Sequence, residues 1–150
     1  MALVIEGQER IDAPVEKVWA ALNDAEMLRD CIPGCQSLEK KSDTELAAKV
    51  VLKVGPIKAT FAGEVTLTNL KPPHSYTITG EGKGGIAGFA KGGADVVLVE
   101  DGPNTTILKY SAKADVGGKM AQLGSRLMES TSKKLAGQFF STLNEKVSAA

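Results

Sequence analysis

From Ser37 to Val116 the prevailing period of the side chains is two, and this limits the chain to folds built on a sheet with one dry face and one wet face. Leu46, Ala48, Val50, Leu52 and Val54 alternate with Lys49 and Lys53. Ile57, Ala59, Phe61, Val65 and Leu67 alternate with Lys58, Thr60, Glu64 and Thr66. Thr106, Leu108, Tyr110, Ala112, Ala114 and Val116 alternate with Lys109, Ser111, Lys113 and Asp115. Burial of one face only is a property of antiparallel sheets. Turn signals at Lys41 to Thr44, Gly55-Pro56, Leu70 to Ser75, Gly84 to Gly88 and Asp101 to Asn104 cut the stretch into six strands joined by short turns, a meander.

The flanks supply the cover that such a sheet needs. A first strand at about Leu3 to Ile11 stops at Asp12-Ala13-Pro14, where Pro14 suits the first position of a helix and Val15, Val18, Trp19 and Leu22 share one face. Asn23-Asp24 can cap a second helix, Ala25 to Cys31, ended by Pro33-Gly34. Beyond Gly117-Gly118 the period becomes helical. Met120, Leu123, Leu127, Met128, Leu135, Phe139, Leu143 and Val147 form a stripe on a segment on the order of 40 Å long, enough to cross the whole sheet. The reading is α+β: seven strands, two short helices after strand 1, and one long carboxy-terminal helix, in a single domain over residues 1–150. A domain of this length buries roughly 68–70% of its unfolded surface.

Composition removes several classes of function. Eighteen basic and 18 acidic residues give a formal net charge of zero, which argues against nucleic acid, whose phosphates are held by an excess of lysine and arginine. No basic-then-apolar leader opens the sequence and no apolar run approaches the ~18 residues of a membrane span, so a cytoplasmic protein is expected. Cys31 and Cys35 are spaced C-x3-C around Pro33-Gly34, with His74 as the single histidine, so no metal site is expected. The cysteines read as reduced thiols beside a turn, with redox pairing as the alternative. Gly80 to Gly85 fits G-x-G-x-x-G, but the following Ala94 to Glu100 reads as a strand, whereas that fingerprint needs a helix start to hold pyrophosphate.

Four stretches carry a family resemblance. They are Asp12-Ala13-Pro14 with Val18-Trp19-Ala20-Ala21-Leu22-Asn23-Asp24; Cys31-Ile32-Pro33-Gly34-Cys35; Gly80 to Gly85 running on to Gly88-Phe89-Ala90-Lys91-Gly92; and Val116 to Leu127. The order of elements resembles the helix-grip fold of START-like and polyketide-cyclase-like proteins, in which a seven-stranded curved antiparallel sheet wraps around a long carboxy-terminal helix. The four stretches together are similar to the CoxG family of carbon monoxide dehydrogenase accessory proteins. That resemblance implies a noncatalytic accessory protein, without a cofactor of its own, for a molybdenum hydroxylase such as CO dehydrogenase. It also implies a link to the membrane and to isoprenoid quinones as electron acceptors. Many such relatives continue past the long helix into an extension with an apolar end; this sequence stops at Ala150, so lasting anchorage is not expected.

Taken alone, the inward-facing residues are notable for their size. Ala48, Ala59, Gly63, Ala112 and Ala114 on strands, and Ala121, Gly124 and Ala136 on the helix, leave either a space for an apolar ligand or a close approach of helix to sheet. In the first case Phe61, Ile78, Phe89, Tyr110, Met120, Leu123, Leu127 and Met128 are the candidate ligand-binding residues, with Tyr110, Tyr76 or backbone groups at the headgroup. A meander gathers Gly55-Pro56, Gly84 to Gly88 and Gly117-Gly118 at one end. Gly84, Gly85, Ile86, Gly88, Gly117 and Gly118 are then a candidate gate with Ile86 and Phe89 as apolar tips. Lys53, Lys58, Lys83, Lys91 and Lys119 fall at the same end, as a basic rim for transient contact with an anionic membrane surface or as a solvated strand face. Three functions follow: a carrier of a quinone or other lipid, a docking module with a solid core, or a cyclase- or hydratase-type enzyme, for which the inward faces offer tyrosines but no carboxylate.

Overall fold

The computed structural model describes residues 1–148. Strands β1 (Ala2–Ile11), β2 (Cys35–Lys40), β3 (Glu45–Val54), β4 (Ile57–Lys71), β5 (Ser75–Lys83), β6 (Phe89–Glu100) and β7 (Thr106–Gly117) form one sheet. Its order is β1-β7-β6-β5-β4-β3-β2, with every neighbouring pair antiparallel. From β2 to β7 the chain is the expected meander, and β1 closes against β7 through the register Ala2↔Asp115 to Ile11↔Thr106. Helices α1 (Val15–Leu22) and α2 (Ala25–Cys31) follow β1, and α3 (Ser125–Ser148) follows β7.

Local chemistry sets most of the boundaries. Pro14 stands one place earlier than the sequence suggests: at ψ 152° it is the extended residue before α1 rather than its first helical residue, and the helix begins at Val15. Asp24 caps α2, its carboxylate accepting from the N–H groups of Glu26 (3.0 Å) and Met27 (3.4 Å). β2 starts at Cys35, two residues before Ser37, because Gly34 turns the chain with φ 77°.

The long terminal helix is not continuous. A 3-10 turn, Lys119–Leu123, ends at Gly124, whose φ of 94° lies outside helical space, and α3 begins at Ser125. Its 24 residues span ~36 Å, still the width of the sheet. Both ends of α3 are anchored. Near its start, Met128 is buried with Leu3, Val54, Phe61, Val116 and Met120; near its end, Leu143 and Val147 are buried with Ile11, Val18, Leu98 and Leu108. The second anchorage is also polar: the Asp12 N–H donates to Asn144 Oδ1 (2.9 Å), Lys146 pairs with Asp30 (3.3 Å), and the buried Thr106 hydroxyl donates to the Ala13 carbonyl (2.8 Å). Between these two cores the helix bridges the sheet without filling the space beneath it.

Candidate functional site: a cavity under the last helix

Cross-strand register explains that space. The inward positions of the central strands pair glycines and alanines with one another: Gly63 with Gly82, Gly80 with Gly92, Gly92 with Ala114, and Ala94 with Ala112. A belt without side chains beyond Cβ therefore runs across the middle of the concave face. Under it and below α3 lies a cavity of about 680 Å³. An engineered pocket of ~150 Å³ already holds benzene, so this one has room for a molecule several times larger.

The wall is apolar at one end, with Val54, Phe61, Met120 and Met128, and aliphatic at the other, with Leu22, Leu28, Ile32 and Leu38. From the helix come Thr131, Ser132, Leu135, Phe139 and Phe140. The charged residues along the wall, Glu64, Glu81, Lys91 and Lys113, are all exposed and occupy strand positions whose side chains point to the outer face. They contribute backbone to the lining, made accessible by the neighbouring glycines.

Tyr76 is the exception to this apolar character. Its ring is held edge-on by Trp19, with centroids 5.4 Å apart and planes at 89°, and only 5% of the residue is exposed. Burial pushes its phenol pKa well above the ordinary value. The hydroxyl makes no hydrogen bond among the described residues, while no fully enclosed side-chain polar atom there lacks a partner. Tyr76 is among the residues that line the cavity, and its hydroxyl is not fully enclosed by protein.

Of the eight residues singled out from sequence, Phe61, Ile78, Met120 and Met128 line the cavity. The other four lie elsewhere. Tyr110 covers Gly7 and stacks on Phe140 (5.1 Å, 24°), one layer behind the wall. Leu123 and Leu127 pack toward the β3–β4 turn at Gly55, and Phe89 lies over Gly117 with 40% of its surface exposed. The break at Gly124 takes Leu123 off the stripe that a continuous helix would present, whereas Leu127, inside α3, points to the Gly55 side of the helix. The sequence reading omitted Leu22, Leu28, Ile32, Pro33 and Leu38 from the α1–β2 region, and the belt glycines Gly80, Gly82 and Gly92. The glycines carry a legible signal, because they occupy the inward phase of β5 and β6 set by Tyr76, Ile78, Val96 and Leu98.

The glycine turns do gather at one end. Gly88 and Gly118 have φ of 121° and 78°, and a Cβ on either would run into the backbone of the other's loop, so the two turns are packed main chain to main chain. Gly84 lies against the Phe61 ring, Gly85 has open space beside it, and Ile86 projects with 83% of its surface exposed. Lys53, Lys58, Lys83, Lys91 and Lys119 are exposed on strands and turns of this same end, Lys83 paired with Glu81 at 3.7 Å.

No group of three metal-ligating side chains occurs among the described residues. His74 sits in the β4–β5 turn, 3.5 Å from Glu100, with over half of its side chain exposed. Cys31 and Cys35 are free thiols, both with pKa raised chiefly by burial. The G-x-G-x-x-G glycines run along β5 into a 3-10 turn and then β6, so no helix start lies there to take a phosphate.

A roofed apolar cavity beneath a helix that crosses a seven-stranded sheet is the architecture that the sequence resemblance implied, and the family model for the carbon monoxide dehydrogenase G subunit (CoxG) matches residues 7–148. The chain belongs to that family. Among solved structures, this CoxG-family protein is similar to a conserved protein from Geobacillus kaustophilus at 30% identity and a TM-score of 0.92, covering 98% of this chain and 96% of that one. It shares its fold with a START superfamily protein from Mycobacterium smegmatis (13% identity, TM-score 0.74, 96% of each chain). It likewise shares it with the ZhuI aromatase/cyclase from Streptomyces sp. R1128 (11% identity, TM-score 0.72, 98% and 94%). No curated protein sequence gives a significant match. No helix among the described residues is long and apolar enough to cross a membrane.

Proposed function

We propose that this CoxG-family protein is a noncatalytic carrier. It takes a long apolar molecule, an isoprenoid quinone or a similar lipid, into the cavity under α3 and serves a CO dehydrogenase-type molybdenum enzyme at the inner face of the cytoplasmic membrane. The observation that carries the reading is the unfilled cavity of about 680 Å³ with an apolar wall. Each methylene removed from water contributes ~0.8 kcal/mol, so an isoprenoid chain binds there without a polar network. A noncatalytic role is favoured because, among the described residues, no carboxylate or histidine side chain points into the space: Glu64 and Glu81 face outward and His74 is at a turn. General acid–base chemistry would need such a group, with a pKa near the working pH, at the substrate.

Ile86 and Phe89 at the tips of the glycine end, beside Lys53, Lys58, Lys83, Lys91 and Lys119, are the proposed membrane contact, with the glycine turns as the gate. At about 1 kcal/mol per lysine near an anionic surface, the attachment is transient, as a shuttle between membrane and enzyme requires. The same exposed tips favour a second reading, a docking module that brings the enzyme to the membrane without ligand uptake. Solvent extraction and mass spectrometry of the purified protein, followed by titration with menaquinone and ubiquinone analogues, separates the two. Co-purifying isoprenoid lipid or saturable quinone uptake is expected for the carrier. A protein free of apolar ligand that takes up neither quinone overturns it.

A further inference from the structure

We propose that the Tyr76 hydroxyl is the polar anchor of the ligand, donating a hydrogen bond to an uncharged oxygen, so that the cavity selects long-chain molecules with a carbonyl head and rejects carboxylates. This rests on the carrier reading and specifies its ligand class and orientation.

Tyr76 is held by the Trp19 edge and is almost wholly buried, yet its hydroxyl lacks a protein partner among the described residues. That hydroxyl is not fully enclosed, so without a ligand only water satisfies it, and a ligand oxygen at the same place takes over the hydrogen bond as the apolar tail expels that water. An ordinary phenol, with a pKa of about 10, is already protonated throughout the physiological range, and burial moves Tyr76 further in that direction, so it offers a donor at any working pH. Among the described residues that line the cavity no cation is available to balance an anionic head, since Lys91 and Lys113 contribute main chain while their side chains are exposed on the opposite face. A carboxylate placed beside Tyr76 would lose its hydration without gaining a counter-charge, which costs far more than one hydrogen bond returns.

The belt fixes where the tail goes. Along the inward phase of β5, Tyr76 is followed by Ile78, Gly80 and Gly82, and the last two present no side chain. A furrow about 20 Å long, at roughly 3.3 Å per residue, therefore leads from the phenol toward Phe61 and Met120 at the glycine end. The head sits beneath α1 and the chain points to the end that carries Ile86 and Phe89.

Binding of 2-tridecanone, tridecane and tridecanoate to delipidated protein at pH 8, measured by displacement of a fluorescent apolar probe, tests the assignment. The ketone is expected to bind about five- to tenfold more tightly than the alkane, and the carboxylate more weakly than either. Tyr76→Phe, which removes one oxygen, should bring the ketone down to the level of the alkane and leave the alkane unchanged. With a carbon-13 label on the ketone carbonyl, the wild type should lower the carbonyl stretching frequency on binding and the variant should not. This band reports the hydrogen bond and is insensitive to a purely structural role of the ring. Equal affinity for ketone and alkane, tight binding of the carboxylate, or an equal loss for all three ligands in Tyr76→Phe each overturns the anchor while leaving the carrier intact. Failure of all three to bind the wild type overturns the carrier reading itself. Should Tyr76→Phe not fold, the ranking of the three ligands and the carbonyl band in the wild type decide alone.

Discussion

Replacing Gly82 by leucine turns the unfilled space into a measurement whose sign gives the answer. A Cβ at Gly82 would have no atom within 4 Å, and the residue lines the cavity on a central strand. Glycine in a strand interior costs roughly 0.5–1 kcal/mol relative to alanine, and burying a leucine side chain returns about 1.5–3 kcal/mol. The ligand-free Gly82→Leu protein should therefore be more stable than wild type by about 2 kcal/mol, or roughly 4–8 °C in Tm for a domain of this size. The four added carbons displace as much ligand. At ~0.8 kcal/mol per methylene this weakens uptake by ~3 kcal/mol, on the order of 100-fold. The assay is urea unfolding of delipidated protein, which must be ligand-free because a bound lipid stabilises the folded state by mass action, alongside probe displacement. Gly92→Leu is the contrast, since its Cβ would run into the Lys113 carbonyl, and it should destabilise. If Gly82→Leu instead costs the ~1–3 kcal/mol typical of an overpacked core and leaves ligand binding unchanged, the interior is solid and the reasoning fails.

Further outcomes follow from single contacts. Gly118→Ala places a Cβ at φ 78° against Gly88, and urea unfolding should show a loss of at least about 1–3 kcal/mol; a neutral result would mean the two glycine turns are not packed together. Thr106→Val leaves the buried Ala13 carbonyl without its donor and should cost about 1–3 kcal/mol in the same measurement, with unchanged m. The raised pKa of Tyr76 contributes stability that is fully present below pH ~10, where the phenol is protonated in both states, and is lost above it as the unfolded chain deprotonates first. Subtracting the Tyr76→Phe stability profile from that of wild type should be flat to about pH 9 and fall beyond, and a flat difference to pH 11 would show the phenol to be hydrated. Ile86→Ser with Phe89→Ser should weaken sedimentation with anionic vesicles several-fold, with any loss in Tm coming from Phe89, which packs over Gly117, and not from Ile86, which projects at the surface. Retained vesicle binding would place the membrane contact elsewhere.

The sequence by itself determined the strands, the meander and the two short helices, because periods of two and 3.6 and residues such as Asp24 and Gly34 act within a few positions of themselves. It also marked the glycine end and four residues of the wall: Phe61, Ile78, Met120 and Met128 are large apolar residues at inward phases, and such positions are read from one strand or one turn at a time. Only the tertiary structure decided that there is a cavity. Gly63, Gly80, Gly82, Gly92 and Ala114 are spread over four strands, and they form a belt only because antiparallel register sets those strands side by side. In the same way Leu22, Leu28 and Leu38 reach the wall because α1 and α2 lie over the sheet and β2 forms its edge, while the turn at Gly124 diverts Leu123 to the flank. A void has no sequence of its own; it is what remains when elements fixed by local rules are held apart by anchors at both ends of α3.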